Sequence, residues 1–240
     1  MTTITQTLGS ILGPWGWAIA VHRLWWVSAG LSFAAVIIIL YVFAHINPPS
    51  IAQLLPNTQL PLVAAITAAA AGGSISSEGY VSAGQQVPMI LASYLLLGIA
   101  MPLVLILDAL FLSRLYNETK EGKTQETKSN AMNLAYQSLV LVGPWGQANC
   151  ALQRLGKSVM QGSFGPYNRG IMLTSLAAPV VGYSSMMLGL CFWGQATFWW
   201  LFALVSIAHA AGADSNTRGS VKFDLAAWSL VFPWTNHHIT

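Results

Sequence analysis

Charge is what this chain has least of. Only 7% of its 240 residues are Asp, Glu, Lys or Arg, where a water-soluble domain carries roughly a quarter. No charged side chain stands between Arg23 and Glu78, and none between Arg169 and Asp214. Too few charges remain to make a water-facing surface, so lipid must cover much of the protein. Clustered basic residues are missing as well. The formal charge of +3 comes without the Lys/Arg stripe that a phosphate backbone requires, which argues against nucleic acid as a partner. Cysteine is nearly absent: Cys150 and Cys191 lie in or beside apolar segments and read as small buried hydrophobes rather than a disulfide. The start, Met1 to Leu8, has no basic lead into its apolar stretch, so no cleaved signal peptide is expected.

What the chain does contain is apolar sequence, 55% hydrophobic residues at a mean hydropathy of +0.58. A membrane helix needs about 20 such residues to cross a hydrocarbon core of about 30 Å. A first span is read over 24–44, opened by Trp25 and Trp26 as an interfacial aromatic belt. The apolar stretch before it, Leu8 to Val21, is interrupted by Gly13-Pro14-Trp15-Gly16 and reads as the tail of something longer. Pro and Asn punctuate a loop before a second span over 60–77, where Ala65, Ala69 and Gly73 recur every four residues. That spacing gives a small-residue face for close helix packing. A third span over 87–116 contains Gly98 and Pro102, and the polar stretch 117–130 after it is an extramembrane loop. The fourth, over 131–152, is interrupted by Gly143-Pro144-Trp145-Gly146. The second charge-free stretch holds a span over 176–210, either one long helix or two spans turning near Gly194-Gln195. A last segment is read over 222–236. The whole chain, 1–240, is one all-α polytopic membrane domain.

Chemistry has few places to sit. His22, His45, His209, His237 and His238 fall at span ends or at the terminus, where they read as interfacial residues. The adjacent pair His237-His238 points its rings apart on a helix, a poor geometry for zinc. No nucleophile–base set, phosphate loop, paired carboxylate or CxxC is found, so neither an enzyme nor a cofactor or metal is expected. Asp108 is the one charged residue well inside an apolar span. An intramembrane ionisable group is a functional candidate by default; its bland alternative is neutralisation near the interface, for which Arg114, six residues on, is badly placed within one helix. Pro144 removes a helical hydrogen bond, and its glycine neighbours free the backbone. Such breaks are tolerated in a membrane only where protein or a watery cavity satisfies them, and their oriented dipoles can hold ions without formal charge.

Six segments, in order, carry a resemblance. They are LWWVSAGLS from Leu24, LLPNTQLPLVAAITAAAAGG from Leu54, SYLLLGIAMPLVLILDALFLSRLY from Ser93, LVGPWGQANCALQRLG from Leu141, LGLCFWGQATFWWLFALVSI from Leu188 and KFDLAAWSLVFP from Lys222. Together the chain resembles the tellurite-resistance/dicarboxylate transporter family, which includes malate permeases, sulfite efflux pumps and slow anion channels. The resemblance implies a partial version of a ten-helix anion channel, five inner helices around a pore and five outer ones, with 60–77, 131–152 and 222–236 as inner helices. It makes 176–210 one long helix with a lead-in outside the membrane. It implies a small anion as substrate (a C4-dicarboxylate such as malate, or sulfite), a homo-oligomer (a trimer) and a plasma-membrane location. Phe232 matches the family's pore gate. Gly72, Gly73, Gly143, Pro144, Gly146, Gln147, Trp228 and Pro233 are the pore-lining candidates. With the amino terminus inside, Arg114, Lys120, Lys123, Lys128, Arg218 and Lys222 are expected inside, and Arg23, Arg154, Lys157 and Arg169 outside, a weak positive-inside bias. Counterparts of the first helices and the last are not found. The chain is therefore expected either to conduct as part of a larger pore, or to be a non-transporting subunit or fragment that only packs with other helices. Asp108 and the polar tail after Trp234 depart from the family pattern.

Overall fold

The computed structural model describes residues 14–46, 56–78, 81–120 and 137–213. Within them the chain is an all-α membrane helix bundle. We label its long helices α1 (Pro14–Tyr41), α2 (Leu60–Ser77), α3 (Ala83–Lys120), α4 (Val142–Ser158) and α5 (Ala178–Ala213). Among the described residues, 4 helical segments are long and apolar enough to cross a membrane: Ile19–Ile46, Leu60–Ser77, Ala83–Tyr116 and Ala178–His209. Extended pairing among these residues is limited to one isolated bridge, Arg169 with Leu173. The segment read over 222–236 and residues 121–136 lie outside the described residues.

Side-chain contacts fix the direction of each helix. Gln59, just before α2, bonds Asp108 late in α3, whereas Gly72 late in α2 abuts Ser93 early in α3. These two helices are therefore antiparallel. Gln59 just before α2 and Trp145 near the start of α4 share Asp108, and Gly73 late in α2 packs on Ala151, Arg154 and Leu155 of α4, so α2 and α4 run parallel. Gly156 and Gly182 meet, as do Asn149 and Gly189, which makes α5 antiparallel to α4. Tyr94 of α3 bonds Ser185 and Phe111 meets Trp199, so α3 and α5 are parallel. One end of the bundle gathers Ser77, Ala83, Ser158 and Ala178. The other gathers Gln59, Asp108, Trp145 and Trp199.

Lipid tails are as apolar as leucine, so membrane helices associate through close packing rather than through escape from water. This bundle packs on small residues. Ala65 and Ala69 are 1% and 0% exposed, and the four-residue spacing continues to Gly73 against the α4 backbone. A Cβ added at Gly156 would stand 2.9 Å from the Gly182 carbonyl oxygen, so α4 and α5 touch backbone to backbone. The α2 hydroxyls of Ser74 and Ser76 are satisfied within their own helix, by the Ala70 and Gly72 carbonyls, as lipid demands. Outward-facing Leu24, Leu31, Ile38, Leu95, Leu105 and Val205 form the lipid-side surface.

Several expectations change. The first helix does not begin at Leu24 but runs unbroken from Pro14 through His22 and Arg23. His22 is buried, and its Nε2 accepts the Trp26 indole N–H at 3.1 Å. Trp25 does not face outward as a belt residue would. It is 4% exposed and donates to the Ala68 carbonyl at 2.8 Å, because Gly72 leaves a slot that its ring fills. The third helix continues to Lys120, past the expected loop boundary, through Glu and Lys residues that lose little freedom in a helix. The second charge-free stretch holds one continuous helix across Gly194, reached through a lead-in that turns at Asn168 and Gly170, both at positive φ. Cys150 and Cys191 are both free, as read, but Cys191 is exposed on α5 rather than buried.

The glycine contacts make a direct prediction. Gly156→Val forces α4 off the Gly182 backbone and should destabilise the protein by about 1–3 kcal/mol, the usual effect of overpacking. Gly98→Ala has open space around its Cβ and should leave stability equal or higher. Denaturant titration in detergent micelles compares the two, and equal losses would contradict the packing account.

Candidate functional site

The only described charge deep within the helices is a carboxylate with three donors. Asp108 is 4% exposed. Its Oδ1 accepts from the Gln59 amide at 2.5 Å. Its Oδ2 accepts from the Trp145 indole at 2.7 Å and from the Trp199 indole at 2.9 Å. These partners lie 49, 37 and 91 residues away, on the turn before α2, on α4 and on α5. A buried polar group left unpaired costs several kcal/mol in an apolar medium, so the carboxylate draws three elements to one point. Aromatic edges close the node: Trp145 meets Phe192 at 5.3 Å and Trp199 meets Phe111 at 6.3 Å.

The node sets the rotation of α4. A 3₁₀ turn, Leu139–Leu141, leads directly into α4, so Gly143-Pro144 tightens the helix instead of interrupting it. Pro144 falls in the first turn of α4, where its missing N–H costs least. A marked backbone departure comes later, at Gly162 with φ 101°. With Trp145 turned to Asp108, residues about 200° further round point the other way. On that side Gly146, Gln147, Cys150 and Arg154 are half-buried and Lys157 is exposed, a polar stripe at helical spacing, flanked by Gln153, whose amide donates to the Met186 carbonyl of α5 at 3.3 Å. Helix α2 presents a matching open stripe, Ala64, Thr67, Ala71 and Ile75. The two helices meet at Gly73, where an added Cβ would lie 3.2 Å from the Arg154 Cβ, on the side of α2 turned away from Ala64 and Ile75. Both stripes look away from α3. In a chain this apolar, α4 and α2 each offer a narrow face of small and polar groups.

The structure distributes the sequence candidates unevenly. Gly146 and Gln147 are on the open stripe. Gly143 and Pro144 are buried in the first turn of α4. Gly73 is the α2–α4 contact, and Gly72, about 100° round the helix, faces Ser93 and Trp25 instead. Trp228, Phe232 and Pro233 lie outside the described residues. Asp108 is held by Gln59, Trp145 and Trp199 across helices, not within its own helix. Thr67, Cys150, Arg154 and Lys157 join the site without being site candidates in the sequence. The signal was present in the recurrence Gln147, Cys150, Arg154, Lys157, but it emerges only when α4 is taken as continuous past Gly146. Among the described residues no His, Cys, Asp or Glu cluster could hold a metal ion.

Comparison with known proteins places this face in context. A family model described as SLAC1, voltage-dependent anion channel, matches residues 1–238. The chain is 24% identical over 223 residues to a sulfite efflux pump of Arthroderma benhamiae, covering 93% of this chain and 53% of that protein. It is 25% identical to the sulfite efflux pump of Arthroderma otae and 24% identical to that of Trichophyton rubrum, with the same coverage. The chain thus spans about half the length of the curated relatives it matches. No solved structure matches it significantly.

The node also makes a prediction. Asp108→Ala orphans three buried N–H donors and should destabilise by at least about 3 kcal/mol, at about 1 kcal/mol or more for each. Asp108→Asn keeps one acceptor oxygen and should lose less. Unfolding followed by tryptophan fluorescence reads both effects, and an Asp108→Ala protein as stable as the parent would remove the node from the account.

Proposed function

The chain belongs to the voltage-dependent anion channel family, and on that footing we propose that it takes part in moving a small anion across a lipid bilayer. Sulfite is the favoured anion, since relatives over most of this chain are named sulfite efflux pumps; a C4-dicarboxylate such as malate is the second candidate. The observation that carries the reading is the open stripe of α4. Gln147 and Cys150 are half-buried on one side of α4, and Thr67 is exposed on α2, the helix that α4 packs against at Gly73. Amide and hydroxyl donors can replace part of an anion's hydration shell without fixing it, and conduction needs binding weak enough for the ion to leave. The buried carboxylate that would repel an anion is turned to the other side of α4 by its three donors.

In this proposal Gly146 and Gln147 line the path where α4 begins, and Phe232, with Trp228 and Pro233 beside it, supplies the gate. The path is completed by an oligomer, a trimer by resemblance, in the plasma membrane. The full chain in proteoliposomes should take up sulfite down its gradient. Phe232→Ala should raise that uptake by opening the constriction, and Gln147→Leu should lower it by removing an amide from the path. Tracer uptake of sulfite and of malate, measured side by side, orders the two substrates. Uptake of neither, or a Phe232→Ala protein with unchanged flux, would count against the path or the gate respectively.

A further inference from the structure

We propose that the end of the bundle where α2 and α4 finish and α5 begins is an anion-collecting mouth, and that the Arg154 guanidinium is its capture site for an oxyanion. This deepens the transport reading and rests on it. Arg154 is placed by the α2–α4 contact. Its Cβ lies against Gly73, four residues before the end of α2 at Ser77, which is about 6 Å of helix inside that end. Lys157, three residues on along the same stripe, is exposed at the rim. Arg169 stands in the lead-in to α5 at this same end, with its guanidinium 5.1 Å above the Tyr167 ring. Against these three cations the described residues place one carboxylate here, Glu78 at the close of α2. Asp108 is at the opposite end, enclosed by its donors.

Arg154 is half-buried, and among the described residues no hydrogen bond or ion pair occupies its guanidinium. A partly desolvated cation with no partner among the described residues is a standing attraction for an anion. Its planar fork of N–H donors matches two oxygens of a sulfite or a carboxylate, which a halide cannot supply. Below it the stripe becomes uncharged at Cys150 and Gln147. A charged mouth above a neutral path concentrates anions at the entrance and then releases them into a stretch that holds them weakly. Arg154 therefore touches the substrate on entry, and Lys157 acts through the field at the rim.

Sulfite uptake into vesicles made only of phosphatidylcholine tests this. Arg154→Gln should raise KM for sulfite about 10-fold, the effect of one lost charge-assisted contact, with little change in maximal rate. Arg154→Lys should recover part of that KM but not the preference for sulfite over chloride, and Lys157→Gln should give a smaller change that disappears at high ionic strength. An unchanged KM in Arg154→Gln overturns the proposal. So does an effect seen only when anionic lipid is present, because Arg154 would then be meeting a lipid phosphate. If the parent protein moves no anion, the transport reading fails separately. Calorimetric binding of sulfite to the purified full chain still decides the capture site: binding lost in Arg154→Gln supports it, and equal or absent binding in the parent and the variant overturns it. If Arg154→Gln does not fold, Arg154→Lys carries the same comparison, and a sulfite preference equal to the parent's overturns the proposal.

Discussion

A carboxylate placed among membrane helices must find donors, and in this protein those donors come from three other elements. Asp108 accepts N–H groups from Gln59, Trp145 and Trp199, and every major orientation in the bundle is consistent with that demand. Trp145 and Trp199 bond the same oxygen, which aligns α4 and α5 at one end. At the other end, Gly156 and Gly182 bring the same two helices into backbone contact. Two fixed points determine how α4 is rotated, and that rotation decides which side chains remain on its open side.

From this follows a separation of polar groups by role. One side of α4 turns Trp145 to Asp108 of α3, whose carboxylate is satisfied by three N–H groups. The stripe of Gln147, Arg154 and Lys157 is turned away from that node, on the helix that packs on the small residues of α2. One helix of mixed polarity can thus serve as a structural centre on one face and as a path for an anion on the other. The long apolar helices α1, α3 and α5 meanwhile turn their large side chains to lipid. Packing between helices relies on alanine and glycine because, in a bilayer, closeness is what holds helices together.

Much of this was legible in the residues. The charge-free stretches mark most of α1 and all of α2 and α5, and the Ala65–Ala69–Gly73 spacing points to the face that packs. The resemblance made the second charge-free stretch one helix with a lead-in, the form it takes as α5. Long-range partners were not legible. Nothing local to Trp25 says that Gly72 will make room for its ring, so it read as an interfacial anchor. Nothing near Asp108 names Gln59 or Trp199, since those pairings arise only when distant helices meet. The polar stripe of α4 was present in the sequence but was divided by treating Gly143-Pro144 as a break. The proline falls where the chain passes from a 3₁₀ turn into the first turn of α4, and the helix carries the stripe intact to Lys157.

The claim that α4 lines an anion path is tested most directly at Cys150, a native free thiol on the open stripe. In a Cys191→Ser background, the full chain in proteoliposomes is treated with a charged, water-soluble maleimide and washed, and sulfite uptake is then measured. The account predicts that Cys150 is labelled from water and that uptake falls in proportion to labelling. Full uptake after complete labelling would contradict it, as would a thiol that water never reaches in a protein that still conducts.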